Sequence, residues 1–220
     1  MSDPEGTIDV SDQRKRTSQN APQVQLPGRP VLRLFIGIPL AAATANDLAA
    51  AVHRLQSTSR DPAVPDNLRW SAAESWHITL QFLGSTTPQQ YECITARLRE
   101  LDNASVSIEL GGIGTFDRAG VLFIDVRISP QLLALQQTVT AATSPCGFLP
   151  EDRPYHPHIT LARKKGKGGD RQFRNLKLQI KPPPHLSAFH AESFILYESV
   201  ATPEGSRYEA RERYMLRALK

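Results

Sequence analysis

Residues 76–83 read WHITLQFL and residues 155–165 read YHPHITLARKK, so the tetrapeptide HITL stands at 77–80 and again at 158–161. What precedes each copy repeats as well. VLRLFIGIP (31–39) is β-rich and apolar, and TANDLAAAVHRLQ (44–56) sets Leu48, Val52 and Leu55 on one helical face. VLFIDVRI (121–128) is again strand-like, and SPQLLALQQTVTAA (129–142) sets Leu132, Leu135, Val139 and Ala142 at helical spacing. A proline-bearing loop then leads into each HITL, DPAVPDN (61–67) in the first half and GFLPEDRP (147–154) in the second. Each half is therefore strand, helix, loop and HITL strand, which reads as an internal duplication.

The remaining segments fill in the class. Thr44 with Asp47 forms a capping-box pattern at the first helix, and Ser129 with Pro130 supplies cap and first turn of the helix in the second half. Between the halves, TPQQYECITARLREL (87–101) predicts a helix capped by Thr87, Pro88 and Gln90, with Tyr91, Ile94, Leu98 and Leu101 inward. It leads into VSIELGGIGTF (106–116), read as one strand ending in glycines. LSAFHAESFILYESV (186–200) and RYEARERYMLRAL (207–219) flank ATPEGS, a hairpin-turn composition. The expected class is α+β: two lobes related by a pseudo-twofold, mainly antiparallel sheets facing a central groove, and helices outside.

Composition sets outer bounds. The chain has 220 residues and a formal charge of +4, which mildly favours an anionic partner without specifying one. Residues 1–30 are polar and rich in Pro, Ser and Gln, a disordered leader by composition, so residues 31–220 are expected to form a single bilobal domain. Cys93 and Cys146 make no CxxC and lie far apart, which indicates neither a disulfide framework nor a cysteine zinc site. A reducing cytoplasm is the resulting expectation. The richest apolar run, VLRLFIGIPLAAA (31–43), is broken by Arg33 and Pro39 and is too short to span a membrane.

Alternation along a strand gives the HITL copies chemical content. His77 and Thr79 point to one face while Ile78 and Leu80 point to the other, and His158 and Thr160 stand likewise against Ile159 and Leu161. Pairing the two lobes brings two His/Thr faces across one groove. Two imidazoles on opposite walls suit proton removal on one side of a reacting atom and proton donation on the other, with two hydroxyls for its oxygens. A metal reading built on His156, His158 and His77 lacks a carboxylate or fourth ligand at helpful spacing.

These residues resemble the two-histidine phosphoesterases with paired HxTx motifs, and within them the RNA 2′,3′-cyclic phosphodiesterases, also called 2′-5′ RNA ligases. The similarity runs from LRLFIGI through LRW, WHITLQFLG, GGIGTF, LLALQ and GFLPEDRPYHPHITLAR to SFILYESV, nearly the whole chain outside the leader. The resemblance implies a metal-independent enzyme that needs no cofactor and opens a terminal 2′,3′-cyclic phosphate on RNA to a 2′-phosphate, with 2′-5′ ligation as a related reaction. It implies His77 as the acid that protonates the departing 3′ oxygen and His158 as the base that takes a proton from water. Thr79 and Thr160 would bind the non-bridging oxygens, and Arg163 would stand near the phosphate. The expected partner is RNA with a cyclic phosphate end, whether tRNA fragments or small cyclic nucleotides, acted on by a cytoplasmic monomer with no membrane contact. A different class of reading keeps the cleft as a non-catalytic RNA- or nucleotide-binding module.

Strict alternation conflicts with that picture at one point. It puts Arg163 with Ile159 and Leu161, away from the groove, unless a bulge re-aims it. The same parity puts Gln81 and His156 on the groove face as candidate substrate contacts and reads Phe82 as core packing. Tyr155 is read as a platform for base stacking. The loop ARKKGKGGDRQFR (162–174), with Lys164, Lys165 and Lys167, reads as either a solvated loop or a contact to the RNA backbone.

Overall fold

The computed structural model describes residues 31–59, 68–165, 186–203 and 205–218. The expected leader, Lys167 and the rest of the basic loop beyond Lys165 lie outside the described residues. Among the described residues three α-helices and ten strands follow one another as β1 (Leu32–Pro39), α1 (Ala42–Ser59), β2 (Leu68–Trp70), β3 (His77–Thr86), α2 (Pro88–Arg99), β4 (Val106–Ile108), β5 (Leu110–Phe116), β6 (Val121–Val126), α3 (Pro130–Thr143), β7 (His158–Lys164), β8 (Phe189–Ala191), β9 (Ser193–Thr202) and β10 (Gly205–Met215).

Two four-stranded sheets carry the duplication, one in the order β10-β9-β1-β3 and the other in the order β2-β7-β6-β5. All their neighbours are antiparallel. The strands that repeat in sequence occupy equivalent places, since β1 pairs with β3 in one sheet as β6 pairs with β7 in the other. β3 and β7 contact each other across the two sheets, which sets the two HITL copies side by side. The class read from the sequence, α+β with antiparallel sheets, is the one observed.

Burial explains why the HITL strands are well seated. Ile78, Leu80, Ile159 and Leu161 are at most 2% exposed and belong to one continuous core with Ile36, Leu122 and Phe194. Burying each such side chain contributes about 1.5–3 kcal/mol relative to leaving it in water. The expected caps of α2 and α3 are formed. The Gln90 amide donates to Thr87 Oγ1 (3.3 Å) while the Thr87 amide donates to Gln90 Oε1 (3.0 Å), and the Leu132 amide donates to Ser129 Oγ (3.1 Å).

Three expectations are corrected. The α1 helix begins at Ala42, ahead of Thr44, so Thr44 and Asp47 do not cap it. They hold a distant segment instead: Thr44 Oγ1 donates to the Ser187 carbonyl (3.3 Å), and Asp47 accepts from Ser187 Oγ (3.0 Å). The 106–116 run is two strands in two sheets, because β4 pairs with β8 while β5 pairs with β6. At the break, Glu109 gives its carbonyl to the Arg127 amide (2.9 Å). Finally, Cys93 and Cys146 form a disulfide, with Cα atoms 5.8 Å apart. The cause is tertiary: α2 packs along α3, and Cys146 sits in a single 3₁₀ turn (Ser144–Cys146) that prolongs α3 beside Cys93. The inference from unpaired thiols to a reducing compartment falls with it. Among the described residues, no helix is long and apolar enough to cross a membrane.

Candidate active site

Both HITL strands contain the same irregularity at the same place. In β3, Thr79 pairs with Gly37 and Gln81 with Ile36, so Leu80 is an extra residue. In β7, Thr160 pairs with Phe123 and Ala162 with Leu122, so Leu161 is extra. A bulge resets the two-residue alternation, because every side chain beyond it changes face. Leu80 and Gln81 both turn inward, as do Leu161 and Ala162. Phe82, 58% exposed, and Arg163, also exposed, rejoin the faces of their own histidines and threonines.

The bulge settles the parity conflict and corrects two assignments. Arg163 stands on the His158/Thr160 face despite its odd spacing. Gln81 is not a groove residue: it is 7% exposed, and its Oε1 accepts from buried Thr143 Oγ1 at 2.7 Å. Phe82, read as packing, is on the open face. Nothing in the local letters marks the bulge, which arises from the registers of β1 and β6.

Each imidazole is fixed by a backbone carbonyl two residues back. His77 Nδ1 lies 2.7 Å from the carbonyl of Ser75, held in a 3₁₀ turn (Ala73–Ser75), and His158 Nδ1 lies 2.8 Å from the carbonyl of His156. A carbonyl only accepts, so in both rings Nδ1 carries the proton and, in the neutral form, Nε2 is left as an acceptor. Thr79 and Thr160 are half-buried, and among the described residues neither hydroxyl has a hydrogen-bond partner. Both remain available to a ligand.

The surroundings of the two rings differ. Phe35 lies 4.6 Å from the His77 ring, Tyr208 meets it edge-on at 5.1 Å and Tyr197 stands at 5.8 Å. Close packing is possible because residue 37 is glycine: a Cβ there would come within 3.2 Å of His77 Cδ2 and 3.1 Å of the Ile78 carbonyl. Burial lowers the His77 pKa to about 4, against the pull of the Ser75 carbonyl, and the charges of His158 and Arg163 push the same way. The His158 ring has Phe116 at 5.0 Å and Phe123 at 5.3 Å. Gly114 makes room for Phe123, since a Cβ at 114 would sit 2.5 Å from that ring. Burial lowers the His158 pKa too, and the charges of His156 and Arg163 add to this; the His156 carbonyl and Asp125 oppose it.

His156 is exposed, and its Nε2 pairs with Asp125 Oδ1 at 3.0 Å. Asp125 is the cross-strand partner of His158, so the His156–Asp125 pair borders the second imidazole. Tyr155 is not a stacking platform: its hydroxyl donates to the Thr79 carbonyl (3.1 Å), tying the segment before β7 to β3. Burial raises its phenol pKa well above the ordinary value, so it stays a donor. Among the described residues, no group of three or more His, Cys, Asp or Glu is clustered to hold a metal ion.

Sequence reasoning missed Phe35, Tyr197, Tyr208, Phe116, Phe123 and Asp125. Two signals for them were legible in retrospect: a lone aspartate inside the apolar VLFIDV, and glycines in strands, which mark close approach of a neighbouring side chain.

Comparison with known proteins agrees with this construction. Residues 44–198 match the family model of the 2′-5′ RNA ligase superfamily. A relative from Aeropyrum pernix named RNA 2′,3′-cyclic phosphodiesterase is 30% identical over 165 residues, covering 71% of this chain and 89% of that protein. One of the same name from Bacillus subtilis is 32% identical over 135 residues, covering 59% and 70%. The crystal structure of Escherichia coli LigT in its apo form shares the fold, with a TM-score of 0.68 at 24% identity, over 86% of this chain and 99% of that one. With the family model spanning well over half of the sequence, the chain belongs to the 2′-5′ RNA ligase superfamily.

Proposed function

We propose that this protein hydrolyses terminal 2′,3′-cyclic phosphates on RNA to 2′-phosphomonoesters through acid–base catalysis by His77 and His158. The observation that carries the reading is the pair of imidazoles, each locked through Nδ1 to a carbonyl, on two contacting strands with a free threonine hydroxyl beside each. Relatives bearing the name RNA 2′,3′-cyclic phosphodiesterase support it.

In this mechanism His158 takes a proton from water as the water oxygen bonds to phosphorus. The bond from phosphorus to the 3′ oxygen breaks, and His77 delivers a proton to that oxygen. Thr79, Thr160 and Arg163 hold the non-bridging oxygens, where charge gathers in the transition state. Burial makes both imidazoles resist protonation. The bound phosphate anion supplies the attraction that charges His77. A 5′-hydroxyl in place of water forms a 2′-5′ linkage by the same steps, which is the ligation reaction. His156 acts at the edge of the site through Asp125. The unit at work is residues 31–220, a single bilobal domain acting as a monomer on RNA.

The test is incubation with a nucleoside 2′,3′-cyclic phosphate in excess EDTA, with identification of the product. A 2′-phosphate is expected. A 3′-phosphate reverses the leaving group, and binding without turnover makes the protein a binding module.

A further inference from the structure

Beside the two histidines lies a second cleft, of ≈ 600 Å³, between β2 and the β9–β10 hairpin. Its walls include Arg69, Trp70, Arg163, Arg207 and Tyr208. It opens directly onto the candidate active site, because Arg163 shares the His158 face and Tyr208 packs against the His77 ring. Ser75, whose carbonyl anchors His77, lines it too.

The charges of this cleft are unbalanced. Arg69 and Arg163 are cross-strand partners in the β2–β7 ladder, so they lie directly opposite one another on one face. Like charges so placed repel. Among the described residues neither has a carboxylate partner, and Arg207 alone of the three is paired, with Glu209 at 2.5 Å. Among the described residues of the lining, Glu74 is the acidic one, against the three cations Arg69, Arg163 and Arg207. An anion between the facing guanidiniums relieves that repulsion, and a phosphodiester suits their planar donor geometry. Tyr208, half-buried, lines the same cleft, and a basic groove with an aromatic side chain suits single-stranded nucleic acid.

We propose that this cleft holds the nucleotide immediately 5′ of the cyclic phosphate, with its phosphodiester on Arg69 and Arg207 and its base against Tyr208. The inference rests on the cyclic phosphodiesterase reading and deepens it. A 3′-terminal cyclic phosphate has chain on its 5′ side alone, so a second nucleotide site adjoining the histidines serves that strand. The substrate class is then an oligonucleotide, and a cyclic mononucleotide leaves the cleft unused.

The test compares kcat/KM for a trinucleotide ending in a 2′,3′-cyclic phosphate with that for the cyclic mononucleotide, across a range of salt concentrations. The unaltered protein is expected to prefer the trinucleotide by about tenfold or more, the equivalent of one base stack. Log kcat/KM for the trinucleotide should fall more steeply with log salt, and Arg69→Gln or Arg207→Gln should each shallow that slope by about 0.7 while lowering the trinucleotide-to-mononucleotide ratio. Equal kcat/KM values for the two substrates, or a ratio and slope untouched by both substitutions, overturns the proposal. If neither substrate turns over, the phosphodiesterase reading has failed, and fluorescence anisotropy with a labelled 3′-phosphorylated trinucleotide then decides the cleft. Weaker binding by both variants sustains it as an RNA site, and unchanged binding overturns it.

Discussion

β3 and β7 carry the same four letters and the same bulge, yet they build unlike walls. His77 is enclosed by Phe35, Tyr197 and Tyr208. His158 borders the Asp125–His156 pair and stands on the face of Arg163. Beyond the bulge, β3 presents Phe82 and β7 presents Arg163. The backbone therefore fixes where an imidazole and a hydroxyl stand, and the neighbouring strands decide how each imidazole handles a proton. A ring packed among aromatic rings resists charge, whereas one near a carboxylate has that resistance partly offset. Duplication supplies the symmetry, and divergence of the neighbours lets the two imidazoles differ in proton affinity.

Breaking either imidazole has the largest expected effect. His77→Ala and His158→Ala should each lower kcat about 10²–10⁴-fold, the usual share of a general acid or base, with the fold retained by circular dichroism. A cyclic substrate with sulfur in the 3′ bridging position separates their roles, because a thiolate departs without a proton. Turnover of that substrate should return in His77→Ala and stay low in His158→Ala. The opposite pattern would falsify the assignment of acid to the first wall and base to the second.

The pH profile follows from the lowered pKa values. A general base works only when neutral and a general acid only when protonated, so kcat/KM rises and then falls with pH. Both free-enzyme histidines lie below 6.5, one of them near 4, so the kcat/KM bell should centre on the acid side of 6.5 and belong to the pair as a whole. Bound phosphate attracts protons, so the kcat bell should lie at higher pH. A kcat/KM bell centred above 6.5 would show that the walls do not resist charge as described.

The residues just past the bulge come next. Arg163→Ala removes the charge-assisted phosphate contact proposed above, worth about 1.5–3 kcal/mol, so kcat/KM should drop roughly 10- to 100-fold. The same change removes a cation that lowers both histidines, so the bell should move toward higher pH. Phe82→Ala should cost a few-fold at most in kcat/KM, by loss of partial stacking, and leave the bell in place. A comparable pH shift in both variants would mean that the altered wall shape, and not the Arg163 charge, sets proton affinity.

Much of this was legible in the letters, for a reason the particular residues make plain. The repeat announced the architecture because Leu48, Leu132, Ile78 and Ile159 face one core with the expected periods. The helix caps at Thr87 and Ser129 were legible because capping is local. What failed was non-local. Gln81 and Phe82 exchanged faces because β1 imposes a bulge, Cys93 met Cys146 because α2 packs on α3, and Thr44 turned to Ser187 across 143 residues. The aromatic ring set around His77 draws on β1, β9 and β10, and no window of sequence contains it.

The smallest expected effect tests the one place where the bulge leaves a polar group stranded. Ala162 fills the inward position of β7 with a methyl group, while β3 fills it with Gln81, whose Nε2 is buried without a hydrogen-bond partner among the described residues. Thr143 Oγ1 lies within reach of two acceptors, Gln81 Oε1 at 2.7 Å and the Thr140 carbonyl at 3.1 Å, so it keeps one if Gln81 is replaced. Gln81→Met trades a hydrogen bond of about 1 kcal/mol for removal of an orphaned donor that costs about 1–3 kcal/mol, at nearly constant volume. Stability to urea should therefore stay within about 1 kcal/mol of the parent or rise. Thr143→Val strands Gln81 Oε1 as well and should destabilise by about 1–3 kcal/mol. If Gln81→Met proves the more damaging of the two, the amide makes a contact beyond Thr143, and the inward side of β3 then depends on a polar link that β7 does without.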